Sequence, residues 1–249
     1  MAATKKHRRY GMVVDIDLCT GCGACMVACA AENNVAPAPE RATDRTGITP
    51  MRVYPVHNGA PGDRRQTAFL PLMCMHCSEP PCESVCPQQA VELDEATGIV
   101  TQMPQRCLGC RYCMTACPYH ARYFNWWDPQ WPVGMEATLN PTVAPRSRGV
   151  VEKCNLCASR LHAAEDQATA EGQPMPATYV SACVEACPTG AMVLGDLDDP
   201  DTEAHKLAKA EGTFQLLAKL GTRPKVYYHS SRPWVRSLSE RNAKEQAHA

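Results

Sequence analysis

The chain has 249 residues and a formal net charge of −1, from 25 basic and 26 acidic side chains, and this balance argues against a dedicated nucleic-acid binder. Leu, Ile, Val and Phe together number 39, about 16% of the chain and below the roughly 20% of an ordinary globular core, yet the low net charge argues against disorder. No apolar run approaches the ~18 residues of a membrane-spanning helix, so sixteen cysteines are the evident substitute for an aliphatic core.

In chain order, Lys5, Lys6, His7, Arg8 and Arg9 form a basic arm, expected to be solvated or to touch a partner or lipid headgroups. No apolar stretch of 7–15 residues follows it, so no cleavable secretory signal is expected. Residues 12–16 read as a strand feeding the first cysteine group, Cys19-x2-Cys22-x2-Cys25-x3-Cys29. Residues 31–66, rich in Pro, Gly and charge, read as a surface insertion. The second group is Cys74-x2-Cys77-x4-Cys82-x3-Cys86, and 90–93 with 99–101 read as a hairpin leading to the third, Cys107-x2-Cys110-x2-Cys113-x3-Cys117. Residues 125–149 read as a second surface insertion, whose Trp126, Trp127 and Trp131 suit either a contact surface or a cap over a cofactor. The fourth group opens with Cys154-x2-Cys157 and closes with Cys183-x3-Cys187, with a helix expected over 158–172 between them. A strand at 191–194, a helix over 201–220, a strand at 225–228 and a polar tail from 231 to 249 complete the reading.

Three chemistries use this many thiols. Disulfides belong to oxidising compartments and small secreted chains, and cysteines three apart on a tight loop make poor partners. Zinc prefers two distant C-x2-C knuckles, a pattern that only the fourth group approaches. The run C-x2-C-x2-C-x3-C-P is the bacterial ferredoxin signature, in which three close thiolates wrap one 4Fe-4S cluster and the fourth reaches a neighbouring one. Four complete groups with no thiol left over point to four 4Fe-4S clusters. Gly21, Gly23 and Gly109 let the backbone approach a bulky cluster and tolerate positive φ. Pro87, Pro118 and Pro188 turn the chain away after the last thiol, whereas Cys29 is followed by Ala30.

The x3 spacing puts each fourth thiol on a helical turn facing away from its own loop, so ligation is expected to cross between groups. Cys86 and Cys107 are 21 positions apart, against 45 for Cys29 to Cys74 and 37 for Cys117 to Cys154, which favours nesting over tandem pairing. The expected ligand sets are Cys19, Cys22, Cys25 with Cys187; Cys74, Cys77, Cys82 with Cys117; Cys107, Cys110, Cys113 with Cys86; and Cys154, Cys157, Cys183 with Cys29. The fold expected is α+β, two nested bacterial-ferredoxin-like modules with long loop insertions. The outer module takes 10–30 plus 150–230, with the strand at 191–194 beside that at 12–16; the inner takes 67–124.

No substrate-activating constellation, radical-SAM loop or nucleotide-binding loop is present. His76 and His120 lie in or beside groups, and Arg106, Arg111 and Lys153 flank ligands, where positive charge raises a cluster's potential. Four one-electron centres without a reaction site describe an electron wire with no catalytic residue of its own.

Tyr10-Gly-Met-Val-Val-Asp15, Cys19-Thr-Gly-Cys22, Ala30-Ala-Glu-Asn-Asn34, Cys107-Leu-Gly-Cys-Arg-Tyr-Cys113 and Tyr123-Phe-Asn-Trp-Trp127 resemble the four-cluster ferredoxin-type subunits of respiratory dimethyl sulfoxide and polysulfide reductase complexes. The Phe-Asn-Trp-Trp segment and Gly221-Thr-Arg-Pro-Lys-Val-Tyr-Tyr228 are most similar to the menaquinone reductase branch, with alternative complex III next. The resemblance spans about residues 10–230. It implies a large molybdopterin-family subunit, an integral quinone-binding subunit and a multihaem cytochrome c as partners. It also implies a peripheral position on the cytoplasmic membrane, on the periplasmic face by co-export with a partner, or alternatively on the cytoplasmic face. The first group's cluster is then expected nearest the large subunit and the fourth group's nearest the quinone side. Some relatives hold a three-iron cluster at the third group, but all four thiols are present here. A free-standing soluble polyferredoxin is the competing reading, and such carriers are usually strongly acidic.

Overall fold

The computed structural model describes residues 7–43, 46–176 and 178–239. Lys5 and Lys6 of the basic arm lie outside them. Strand β1 (Tyr10–Asp15) is buried along nearly its whole length and delivers the chain to the first group, whose Cys25 and Cys29 sit on helix α1 (Ala24–Glu32). This helix continues past Cys29 because Ala30 keeps the N–H and the backbone freedom that a proline removes.

Part of the segment expected as a surface insertion is ordered sheet. Strand β2 (Arg52–His57) pairs antiparallel with β3 (Thr67–Leu72), and Met51 just before it is buried in the core. Pro55 and Pro71 hide this hairpin in the sequence; a two-stranded sheet has only edges, where proline is tolerated.

Helix α2 (Pro81–Ser84) carries Cys82, and strands β4 (Val91–Leu93) and β5 (Val100–Gln102) form the expected hairpin with Val91 opposite Gln102. Helix α3 (Tyr112–Ala116) carries Cys113 and packs on α2. Strand β6 (Tyr123–Phe124) pairs with β7 (Val151–Glu152) and closes the base of the 125–149 segment. That segment is pinned to the end of α1: Asn140 Nδ2 donates to Glu32 O at 2.9 Å, and Asn140 N–H to Asn34 Oδ1 at 2.8 Å.

Helix α4 (Ala158–Ala170) fills the pause within the fourth group, and α5 (Ala182–Glu185) carries Cys183 and packs on α1. Strand β8 (Met192–Asp196) lies antiparallel to β1, with Met12 opposite Leu194 and Val14 opposite Met192. The helix expected over 201–220 is only α6 (Glu203–Ala208), started by Thr202 Oγ1 accepting from the His205 N–H at 3.2 Å. The helix ends with Lys209 as its C-cap, and left-handed residues at Gly212 (φ +85°) and Leu217 (φ +50°) then turn the chain on either side of β9 (Thr213–Phe214). Strand β10 (Val226–His229) runs parallel to β1, giving the sheet order β8-β1-β10-β9. The expected polar tail is interrupted at its start by helix α7 (Pro233–Arg236), whose Val235 is completely buried; residues 240–249 lie outside the described part.

The core is made of tyrosine, methionine and cysteine as much as of aliphatic residues. Tyr10, Tyr119, Tyr179 and Tyr228 are buried with Met12, Met73, Met75 and nine of the cysteines. Their hydroxyls are satisfied: Tyr228 donates to Pro71 O at 2.9 Å and Tyr179 to Leu156 O at 2.6 Å. Arg8 is not a solvated arm residue, because its guanidinium is buried against Asp196 at 3.2 Å and Asp199 at 3.0 Å, fastening the chain's start beside β8.

Candidate metal centres

Each C-x2-C loop contains a left-handed residue directly before its second thiol: Gly21 at φ +74°, His76 at +43°, Gly109 at +74° and Leu156 at +53°. Such a residue turns successive N–H groups inward, as in other anion-cradling loops. Glycine is needed at two of these positions for space as well. A Cβ on Gly109 would stand 2.4 Å from Gly149 O, and one on Gly21 2.4 Å from the Phe69 ring. A second reversal follows three of the last thiols, at Gln89, His120 and Gly190, each donating its N–H at 3.2 Å to the carbonyl of Cys86, Cys117 or Cys187. His120 therefore serves the turn through its backbone and leaves its ring at the surface.

Three small cavities gather thiols from separate groups. Cys19, Cys22, Cys25 and Cys187 line one; Cys74, Cys77, Cys82 and Cys117 a second; Cys86, Cys107, Cys110 and Cys113 a third. The remaining four thiols face one another, with Cys29 in the field of Cys183 and Cys157, and Cys154 in that of Cys29 and Cys183. Cys154 also feels Cys74, and Cys25 feels Cys183. The fourth group's thiols thus lie between those of the first and second groups, and not at the end where the family resemblance puts them. The end opposite the first group belongs to the third, because groups two and three are joined through α2 and α3.

The donor set fits iron–sulfur clusters. No carboxylate or imidazole lines the three cavities, leaving soft thiol ligands only. All sixteen cysteines are free, and among the described residues no three Cys, His, Asp or Glu side chains converge as a single-ion site. The sulfurs accept backbone N–H bonds of the kind that tune a cluster: Ala90 to Cys86 Sγ at 3.2 Å, Leu156 to Cys154 at 3.4 Å and Val151 to Cys107 at 3.5 Å. Burial pushes the thiols of Cys25, Cys82 and Cys157 up to about 11 and that of Cys77 to about 12, against the opposing pull of Arg122 on Cys82, of the Ala182 N–H on Cys157 and of Thr222 on Cys77. Thiols held so firmly protonated become ligands when a positive metal centre takes the proton's place. Cys187 moves the other way: burial opposes ionisation, but hydrogen bonds from Thr189, Ala191 and Met192 outweigh it.

Several neighbours complete the surroundings. His76 is fully buried; its Nδ1 accepts from the Val100 N–H at 3.2 Å and its Nε2 finds no acceptor. Lys153 is buried and donates to Val100 O and, at 2.8 Å, to Cys154 O. Arg111 stacks its guanidinium 5.2 Å from the Phe124 ring centroid and 5.1 Å from that of Trp126, so Trp126 caps the third group's loop. Trp127 and Trp131, with Trp126 at the same edge, line an open cleft with Pro37 and Arg41. Arg106 lies on the surface. Arg122, only 3% exposed, lies between the second and third thiol sets, and nothing in the sequence distinguishes it from any other arginine.

A family model described as a 4Fe-4S dicluster domain matches residues 65–132, which hold the second and third groups. The iron–sulfur cluster-binding subunit of menaquinone reductase from Nitratidesulfovibrio vulgaris is 51% identical over 245 residues, covering 96% of each chain. The chain belongs to the ferredoxin-type iron–sulfur subunits of respiratory oxidoreductases. Two other members of these iron–sulfur subunits are more distant. Iron–sulfur subunit 1 of the Hdr-like menaquinol oxidoreductase from Archaeoglobus fulgidus is 39% identical, covering 90% of this chain and 84% of its own. The arsenate respiratory reductase iron–sulfur subunit of a Shewanella species is 33% identical, covering 88% of this chain and 95% of its own. As a member of these subunits the chain is an electron-transfer protein of 4Fe-4S type, with a mixed helix and sheet fold that includes a ferredoxin-like dicluster domain. No helix among the described residues is long and apolar enough to cross a membrane.

Proposed function

We propose that this chain is the electron wire of a membrane-bound menaquinone reductase-type complex, holding four 4Fe-4S clusters. Each cluster, when bound, takes up and releases one electron. The four ligand sets are crossed and nested: Cys19, Cys22, Cys25 and Cys187; Cys154, Cys157, Cys183 and Cys29; Cys74, Cys77, Cys82 and Cys117; Cys107, Cys110, Cys113 and Cys86. In that order they succeed one another in space, each beside the next. The observation that carries the reading is the grouping of sixteen thiols into four sets with apolar side chains left exposed at both ends. Leu18 and Val27 are 49% and 72% exposed beside the first group, and Leu108 and Tyr112 are 56% and 64% exposed within the third. A diffusing carrier has no use for such faces, whereas a subunit clamped between two partners does.

The partners proposed are a large molybdopterin-family subunit at the first group's end, an integral quinone-binding subunit at the third group's end, and a multihaem cytochrome c as electron donor. The support is the 51% identity to a menaquinone reductase subunit and the apolar faces just described. Anaerobic metal analysis of the purified full chain is expected to give about sixteen iron and sixteen labile sulfide per chain, four of each per cluster. Near eight irons in an intact preparation, or mostly zinc, would overturn the reading. The subunit is placed on the periplasmic face by co-export with its large partner. Protease added to intact spheroplasts is then expected to degrade it, and full protection would put it on the cytoplasmic face.

A further inference from the structure

Arg122 is a buried cation without a carboxylate hydrogen-bonded to it. The side-chain oxygen of Gln102 accepts from Nη2, while Nε and Nη1 are buried with no acceptor. The thiols that act on the guanidinium are Cys82, Cys113 and Cys74 in order of effect, and Arg122 itself lines the cavity of Cys74, Cys77, Cys82 and Cys117. Cys74 and Cys82 belong to one proposed ligand set and Cys113 to the next. The buried carboxylate Glu152, which also feels Arg122, is held by Arg146. In the outer pair the cations near the thiols are compensated: Cys29 feels Arg146, which is ion-paired with Glu152, and Cys157 feels Arg160, which is held by Glu32 at 2.8 Å and Glu185 at 2.6 Å.

We propose that Arg122 is a positioning charge shared by the two inner cluster sites, raising both of their reduction potentials so that the inner pair fills with electrons before the outer pair. The inference rests on the ligand sets given under Proposed function. A reduced cluster carries one more negative charge than an oxidised one, so a fixed cation beside it favours the reduced form. The effect survives salt because burial removes the ionic screening that a surface arginine would suffer. Arginine suits the task, since its guanidinium stays protonated at any working pH and its fork reaches two sites at once.

The test is potentiometric titration, followed by electron paramagnetic resonance, of the anaerobically purified full chain and two variants, Arg122→Gln and Arg122→Lys. Iron and sulfide are measured on the same samples. Arg122→Gln is expected to retain its iron and to lower two of the four midpoints, shifting the oxidised-to-reduced ratio at fixed potential about tenfold, which is 59 mV for a one-electron couple. The other two midpoints stay in place, and Arg122→Lys stays near the parent. Four unchanged midpoints, an equal shift of all four, or a lysine variant as low as the glutamine one would overturn the proposal. So would loss of iron in both variants, which would make Arg122 a structural residue only. A parent chain without the clusters would instead sink the reading of function on which this one stands.

Discussion

Anaerobic chelation of the iron is expected to unfold this chain. The core supplies little to replace it: Leu, Ile, Val and Phe are 39 of 249 residues, while Cys25, Cys29, Cys74, Cys77, Cys117 and Cys183 sit inside the main hydrophobic cluster. The helices that carry the middle thiols are short; α2 and α5 have four residues and α3 five, lengths that are unstable without tertiary support. Metal binding in such a protein is folding free energy, and removing it returns the chain to its unfolded ensemble. Circular dichroism before and after treatment with a chelator and an oxidant checks this. Loss of the near-ultraviolet signal and of a cooperative thermal transition is the expected outcome; an iron-free chain that still melts cooperatively would show that the protein core suffices.

Replacing Cys187 by alanine is expected to cost the cluster held by the first group, not that of its own group. Cys187 shares a cavity with Cys19, Cys22 and Cys25, while Cys183, only one helical turn earlier, faces Cys29 and Cys157. The three residues between them carry the chain from one site to the other. Cys187→Ala should therefore lose about four of the sixteen irons and one of four paramagnetic signals. If the altered signal belongs instead to the cluster held by Cys154 and Cys157, and that of Cys19 persists, ligation is tandem and the crossed scheme fails.

Thiol spacing was legible because it is written in contiguous residues, and so were Gly21, Gly23 and Gly109, all of which take positive φ. The 90–101 hairpin and the pairing of 12–16 with 191–194 were legible too, as short apolar runs beside cysteine groups. Other features depend on what meets what in space. His76 and Leu156 occupy the same left-handed position as the two glycines, but a histidine and a leucine carry no mark of it. The β2–β3 hairpin is masked by two prolines that only an edge strand can accept, and α6 ends at Ala208, before the left-handed turns at Gly212 and Leu217. Arg8 reads as part of a basic arm and Arg122 carries no mark in the sequence, because neither has its partners nearby: Asp196 lies 188 positions from Arg8, and Gln102 lies 20 from Arg122. The order of the thiol sets likewise depends on Cys154 coming into the field of Cys74, 80 positions away in sequence.

The sheet order β8-β1-β10-β9 has a bearing on how the protein is made. Strand β1 is made before the other described strands, yet both of its neighbours in the sheet, β8 and β10, are made more than 170 residues later. Cys19, Cys22 and Cys25 wait for Cys187, 162 positions after Cys25. At roughly 5–20 residues per second that delay is on the order of ten seconds or longer. The second and third groups lie within the 44 residues from Cys74 to Cys117, so they are all available while the fourth is still being translated. Cofactor delivery to the nascent chain can then begin in the middle and finish at the termini, and the earliest thiols synthesised are the last to be protected from oxygen.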